Sequence, residues 1–158
     1  MFRELLDQRF VAALVDTGFK PLWTIRAKLL HGLGGSQGVL LGVEDDGGLT
    51  TTAEPTVEIV KQTDSPYVGI NLDTGNFPRN GYDQVTLCLP YALNVHFKVN
   101  IGSAEGSKEK ADWGRLIGMF AKAGYKGYIS LEYEEKESAE TAVPRLAVEL
   151  RRAVRKYS

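Results

Sequence analysis

The sequence predicts an α/β protein with a parallel sheet built from about four strand–helix units. Two observations carry this expectation. From residue 38 onward, short apolar runs alternate with longer stretches of helical spacing, the rhythm of consecutive βα units. The apolar runs are also nearly continuous, as expected of parallel strands covered on both faces.

The strands expected are Val39–Val43, Tyr67–Leu72, Ala92–Val95 and Tyr128–Leu131. Between them, Glu54–Thr63 places Val57, Ile59 and Val60 near one face, and Asp83–Pro90 carries Val85, Leu87 and Leu89. Ala111–Ala123 sets Leu116, Ile117 and Phe120 at helical spacing, with Gly124 following as a C-terminal cap. Glu140–Tyr157 is a long amphipathic stretch through Val143, Leu146, Leu150 and Val154. The first 37 residues differ. Phe2–Thr17 suits a helix, whereas Phe19–Gln37 has no clear period and ends in glycines. The expected organisation is therefore an N-terminal helix and irregular segment over 1–37 and a βα region over 38–158.

Composition narrows the function classes. The 158 residues fit one domain, and 43% hydrophobic with 25% charged residues fits a soluble globular chain. A net charge of −1 without a Lys/Arg block argues against a nucleic-acid partner. The single Cys88 excludes an internal disulfide and fits a reducing compartment. No apolar run is long enough to span a membrane, and Met1–Asp7 lacks a signal-peptide core. A cytoplasmic location is the expectation.

Each apolar run leads into a residue able to hold a metal: Glu44, Asp73, His96 and Glu132 in turn. In a parallel α/β barrel the C-terminal strand ends converge on one face, where active sites sit. Any one such carboxylate is more often a solvated loop residue than a ligand. Four in register, including one of only two histidines, reverse those odds. Three carboxylates and an imidazole form a hard, oxygen-rich set suited to one Mn²⁺, Mg²⁺ or Co²⁺ ion, and acceptable to Zn²⁺.

These segments resemble the C-terminal half of the sugar phosphate isomerase/epimerase family, a xylose-isomerase-like TIM barrel. The resemblance runs over residues 38–134 and rests on LGVEDDGG at 41–48, VGINLDTGNF at 68–77, LNVHFKV at 93–99 and DWGRLIGMFAKAGYKGYISLEYE at 112–134. It implies a partial (β/α)8 barrel. It also implies a small-molecule sugar substrate and metal-assisted proton transfer beside a carbonyl of a ketose or aldose. Glu44 and Glu132 would flank the reacting carbon, and Asp73 and His96 would mainly fix the metal. Lys98 falls two residues past His96, on the same side of the strand. It would steady a substrate oxygen, or else stand as a solvated strand-end charge.

The chain also departs from the family pattern. Many relatives carry a His where Asn76 stands, Asn-His where Asp45 and Asp46 stand, and an Asp where Val99 stands. An acid at Asp46 would make the pocket mouth more negative and disfavour a phosphorylated sugar.

A complete barrel has eight βα units, against four here. The expectation is therefore either a truncated or frame-altered product, or a half barrel closed by a second copy or by a separate first half. An open half would leave the Glu44 and Glu132 strands as unpaired edges.

Other function classes share parts of this pattern. A non-catalytic half barrel is one alternative, and a sugar or inositol-acid dehydratase another. An endonuclease-IV-like phosphodiesterase would need more histidines than two. LLHGLGG at 29–35 and GGSQG at 34–38 imitate α/β-hydrolase motifs. Ser36, however, lacks the strand–turn–helix setting of a nucleophile elbow.

Overall fold

The computed structural model describes residues 38–157 and the backbone of Val11–Ala12. Val11–Ala12 forms a short strand, β1. It is followed by β2 (Leu41–Glu44), α1 (Ala53–Thr63), β3 (Val68–Asp73), α2 (Gly81–Cys88) and β4 (Ala92–Phe97). A hairpin of β5 (Asn100–Gly102) and β6 (Lys108–Lys110) precedes α3 (Trp113–Lys122), β7 (Tyr128–Leu131) and α4 (Ala139–Arg155). The main sheet runs β1-β2-β3-β4-β7, with every pairing parallel. The four expected βα units are thus present, as a partial barrel.

Period-two alternation sorts the strand side chains. Leu41, Val43, Val68, Ile70, Leu72, Val95 and Phe97 are buried within the apolar core, together with Ile59 and Val60 of α1, Val85 of α2, Leu116 and Phe120 of α3, and Leu146 and Leu150 of α4. Phe97 meets the Trp113 ring edge-on, with centroids 5.5 Å apart. The opposite face is polar. The register sets Glu44 beside Asn71, Asp73 beside His96, and His96 beside Ser130. Asn94 donates to Asn71 Oδ1 at 2.8 Å on that face.

Helix α3 shows how local sequence sets these boundaries. Asp112 Oδ1 accepts the N–H of Arg115 at the N-terminus. At the other end Gly124 takes φ +69°. The N–H of Gly124 then reaches Ala121 O, and that of Tyr125 reaches Phe120 O. This is a Schellman motif, completed by contact between the Tyr125 and Phe120 rings. Gly124 is the cap the sequence led us to expect.

Four expectations change. Burial on both faces holds for β3, every residue of which is buried. It fails for β7, where Tyr128 is 75% exposed and Ser130 is exposed, because no described element lies over that side. The Glu44 strand is not a bare edge: β1 pairs with Leu41 and Gly42, which leaves β7 as the open edge among the described residues. The helix expected over Phe2–Thr17 lies outside the described residues except at Val11–Ala12, which is strand. Segment 100–110, where no element was expected, forms the β5–β6 hairpin. Its buried anchor is Ile101, packed so closely on Gly81 that a Cβ there would come within 2.3 Å of Ile101 Cγ1. The Phe19–Gln37 segment and Ser36 lie outside the described residues. Among the described residues no helix is long and apolar enough to cross a membrane.

Candidate metal centre

Glu44 ends β2, Asp73 ends β3, His96 lies in β4, and Glu132 follows β7 directly. A parallel sheet brings these C-terminal ends together. One ligand atom from each of the four lies within 4.8 Å of every other. His96 Nδ1 is 3.2 Å from Glu44 Oε1 and 2.7 Å from Glu132 Oε2.

The backbone around the cluster is tied down. Thr74 N–H donates to His96 O, and Thr74 Oγ1 accepts the N–H of Lys98 at 2.9 Å, which locks the end of β3 to β4. Glu132 N–H donates to Phe97 O and carries the β4–β7 pairing to the cluster residue. Asp73 is held from two directions. Its Oδ1 accepts the N–H of Gly75, and its own N–H donates to Asp45 Oδ1, both at 2.7 Å.

The donor set fits a divalent ion on more than composition. Glu132 Oε2 is buried and accepts no well-directed hydrogen bond, and Asp73 Oδ2, also without one, has the Lys98 ammonium beside it at 3.3 Å; both oxygens keep lone pairs that a further cation could take up. His96 Nδ1 is hydrogen-bonded to Glu44 Oε1 and lies close to Glu132 Oε2 without a hydrogen bond to it, so one ring edge faces both carboxylates.

Lys98 is not a solvated charge. It is 7% exposed, and its Nζ lies 3.3 Å from Asp73 Oδ2, 3.1 Å from Glu132 Oε1 and 2.6 Å from Glu134 Oε2. Burial alone would lower its pKa. The hydrogen bond to Glu134 and the charges of Asp73 and Glu132 prevail and raise it, so the ammonium is firmly protonated. Trp113 Nε1 donates to Lys98 O at 2.9 Å and fixes the backbone beneath. Asp73 shows the opposite balance. Burial raises its carboxyl to about 6, against the lowering effects of the Gly75 N–H and of Lys98.

All four expected metal residues and Lys98 therefore meet at one place. Sequence reading missed Asp45, Thr74 and Glu134. Asp45 follows Glu44 directly, so alternation turns it away from the cluster and into the protein, where it is 1% exposed. That parity was the available signal. The same parity carries Glu134 back to the side of Glu132. Asp46 is exposed.

Residues 28–156 match the xylose isomerase-like TIM barrel family. The chain belongs to that family. Compared with curated protein sequences, it has no significant match.

Similar solved structures include an L-ribulose 3-epimerase, with a TM-score of 0.62 at 19% identity over 94% of this chain and 63% of that one. A xylose isomerase-like TIM barrel protein from Mycobacterium smegmatis, in complex with magnesium, gives a TM-score of 0.72 at 20% identity over 92% of this chain and 55% of that one. A D-psicose 3-epimerase in the presence of D-fructose gives 0.62 at 16% identity, over 83% and 52%. At these identities the likeness establishes the fold. The chain spans somewhat more than half the length of these barrels.

Proposed function

We propose that this chain carries the metal-bearing half of a sugar isomerase or epimerase that moves a proton at the carbon beside a carbonyl of a ketose or aldose. The observation that carries the reading is the convergence of Glu44, Asp73, His96 and Glu132 within 4.8 Å. The epimerases among the similar structures support it, and the magnesium complex of another supports a hard divalent ion such as Mg²⁺ or Mn²⁺.

In this reading Asp73 and His96 hold the ion, with Glu44 and Glu132 as further ligands. The bound ion supplies Lewis acidity toward two adjacent sugar oxygens. Glu44 and Glu132 approach His96 from strands separated by β3 and β4. They would therefore face a bound carbon from two sides, one accepting the proton and the other returning it. The buried Lys98 ammonium offsets negative charge as it develops on the substrate oxygens. We also propose that the open β7 edge is covered by a second copy of the chain, or by a separate first half.

Solvent deuterium exchange tests the chemistry. With Mn²⁺ and a panel of free ketoses, the assembled protein should place deuterium at the carbon beside the carbonyl, and Glu132→Gln and Glu44→Gln should each lose that exchange. Metal binding with no exchange into any ketose would instead favour a non-catalytic half barrel.

A further inference from the structure

Lys98 sets up a conflict of charge. Its Nζ lies 3.3 Å from Asp73 Oδ2 and 3.1 Å from Glu132 Oε1, and both carboxylates belong to the four-residue metal cluster. A divalent ion in that cluster and the ammonium would draw on the same two carboxylates and repel each other at short range. The lysine has little room to withdraw. Its N–H donates to Thr74 Oγ1, and its carbonyl accepts from Trp113 Nε1, each at 2.9 Å. Its stem runs against Gly75, where an added Cβ would come within 2.6 Å of Lys98 Cγ. Lys98 is buried, so an ammonium stripped of its partners there would be costly.

Glu134 supplies a partner from outside the cluster. Its Oε2 makes the shortest of the three contacts to Nζ, at 2.6 Å, and it is not one of the four cluster residues. The Glu134 side chain is 64% exposed, and a pair between two exposed side chains is worth little. Here one member is buried and the backbone around the other is tied down. Glu132 N–H donates to Phe97 O, Tyr133 OH donates to Glu137 O at 2.9 Å, and Glu135 Oε1 accepts from Asn100 Nδ2 at 2.6 Å. The residues on either side of Glu134 are therefore anchored, and its carboxylate is presented to Lys98 at small entropic cost.

We propose that Glu134 is a positioning residue that holds the Lys98 ammonium beside the cluster, so that Asp73 and Glu132 can take up a divalent ion while the lysine stays in place. The inference rests on the metal part of the reading above and is independent of the sugar chemistry.

Calorimetry with Mn²⁺ on the full chain tests it, with circular dichroism as the check on folding. Glu134→Gln should weaken Mn²⁺ binding roughly fivefold or more, because Lys98 is then left to compete for Asp73 and Glu132. Lys98→Met removes the competitor and should tighten binding by roughly fivefold or more. In the Lys98→Met background, Glu134→Gln should change the affinity by less than about twofold, since its effect passes through the lysine. Glu135→Gln makes the same change of charge one residue away, on a side chain bonded to Asn100, and should also stay within about twofold of the wild type. If Lys98→Met does not fold, the contrast between Glu134→Gln and Glu135→Gln decides alone. Unchanged affinity in Glu134→Gln would overturn the role. So would equal losses in Glu134→Gln and Glu135→Gln, which would reduce Glu134 to its charge, although the metal reading would then stand. A wild-type chain that binds no Mn²⁺ would overturn both.

Discussion

Asp45 Oδ1 accepts the backbone N–H of Asp73 at 2.7 Å, so a side chain at the end of β2 sets the position of a metal-cluster carboxylate at the end of β3. The bond is buried, and Asp45 Oδ2 has no partner. Burial, reinforced by the Asp73 charge, raises the Asp45 carboxyl well above its ordinary range. Oδ1 serves as the acceptor whichever way the carboxyl is charged. Asp45→Asn preserves an acceptor oxygen and should keep both the fold and the metal affinity. Asp45→Ala leaves the Asp73 N–H unpaired, at a cost of about 1–3 kcal/mol, and should weaken Mn²⁺ binding severalfold. Denaturant melts and calorimetry on the two variants check this; equal affinities would show that Asp45 does not position Asp73.

The raised carboxyl of Asp73 makes a second prediction about pH. Its pKa rises from 3.8 to about 6, chiefly through burial. Between those values the folded chain keeps a proton that the unfolded chain has released. The contribution of Asp73 to stability is therefore greatest below about pH 4, falls as pH rises to about 6, and then levels off. In EDTA, Asp73→Asn should gain stability relative to the wild type as pH rises from 4.5 to 7, by about 2 kcal/mol. With Mn²⁺ present the order should reverse at pH 7, because the ion binds the ionised carboxylate. Urea titrations at the two pH values, with and without metal, read both signs.

Much of this site was legible in the sequence because a parallel sheet turns strand order into spatial order. Glu44, Asp73, His96 and Glu132 each follow an apolar run, and no tertiary knowledge beyond strand-end convergence was needed to group them. Gly124 was legible for a local reason, since a helix end asks for a residue that accepts positive φ. The β5–β6 hairpin was not, because Lys108–Lys110 is wholly charged and shows no alternation. The open face of β7 was also hidden: Tyr128–Leu131 reads as apolar, yet whether a strand is covered depends on elements distant in sequence.

Close packing at Gly75 ties the fold to the site. A Cβ there would lie 2.6 Å from Lys98 Cγ and 2.8 Å from Asn100 O. The backbone oxygen cannot swing away as a side-chain tip can, so Gly75→Ala must displace the start of β5 or the Lys98 stem. We expect a loss of about 1–3 kcal/mol, in the range of overpacked positions. Proton exchange into the sugar should fall by more than stability alone explains, since Lys98 would leave Asp73 and Glu132. Comparing melts with exchange rates separates the two effects.

The β7 edge carries the last prediction. Among the described residues β7 pairs only with β4, so its other side presents unpaired N–H and C=O groups. Tyr128 is exposed on one face. On the other, Ile129, Leu131, Leu150 and Val154 line an apolar groove of about 420 Å³ between β7 and α4. An open edge flanked by apolar surface on both faces favours pairing with another chain. Analytical ultracentrifugation should find a dimer or larger species. Replacing Ile129 by Lys should lower the association constant at least tenfold, with secondary structure retained. A stable wild-type monomer at all concentrations would refute pairing between copies and leave a separate first half as the partner of this edge.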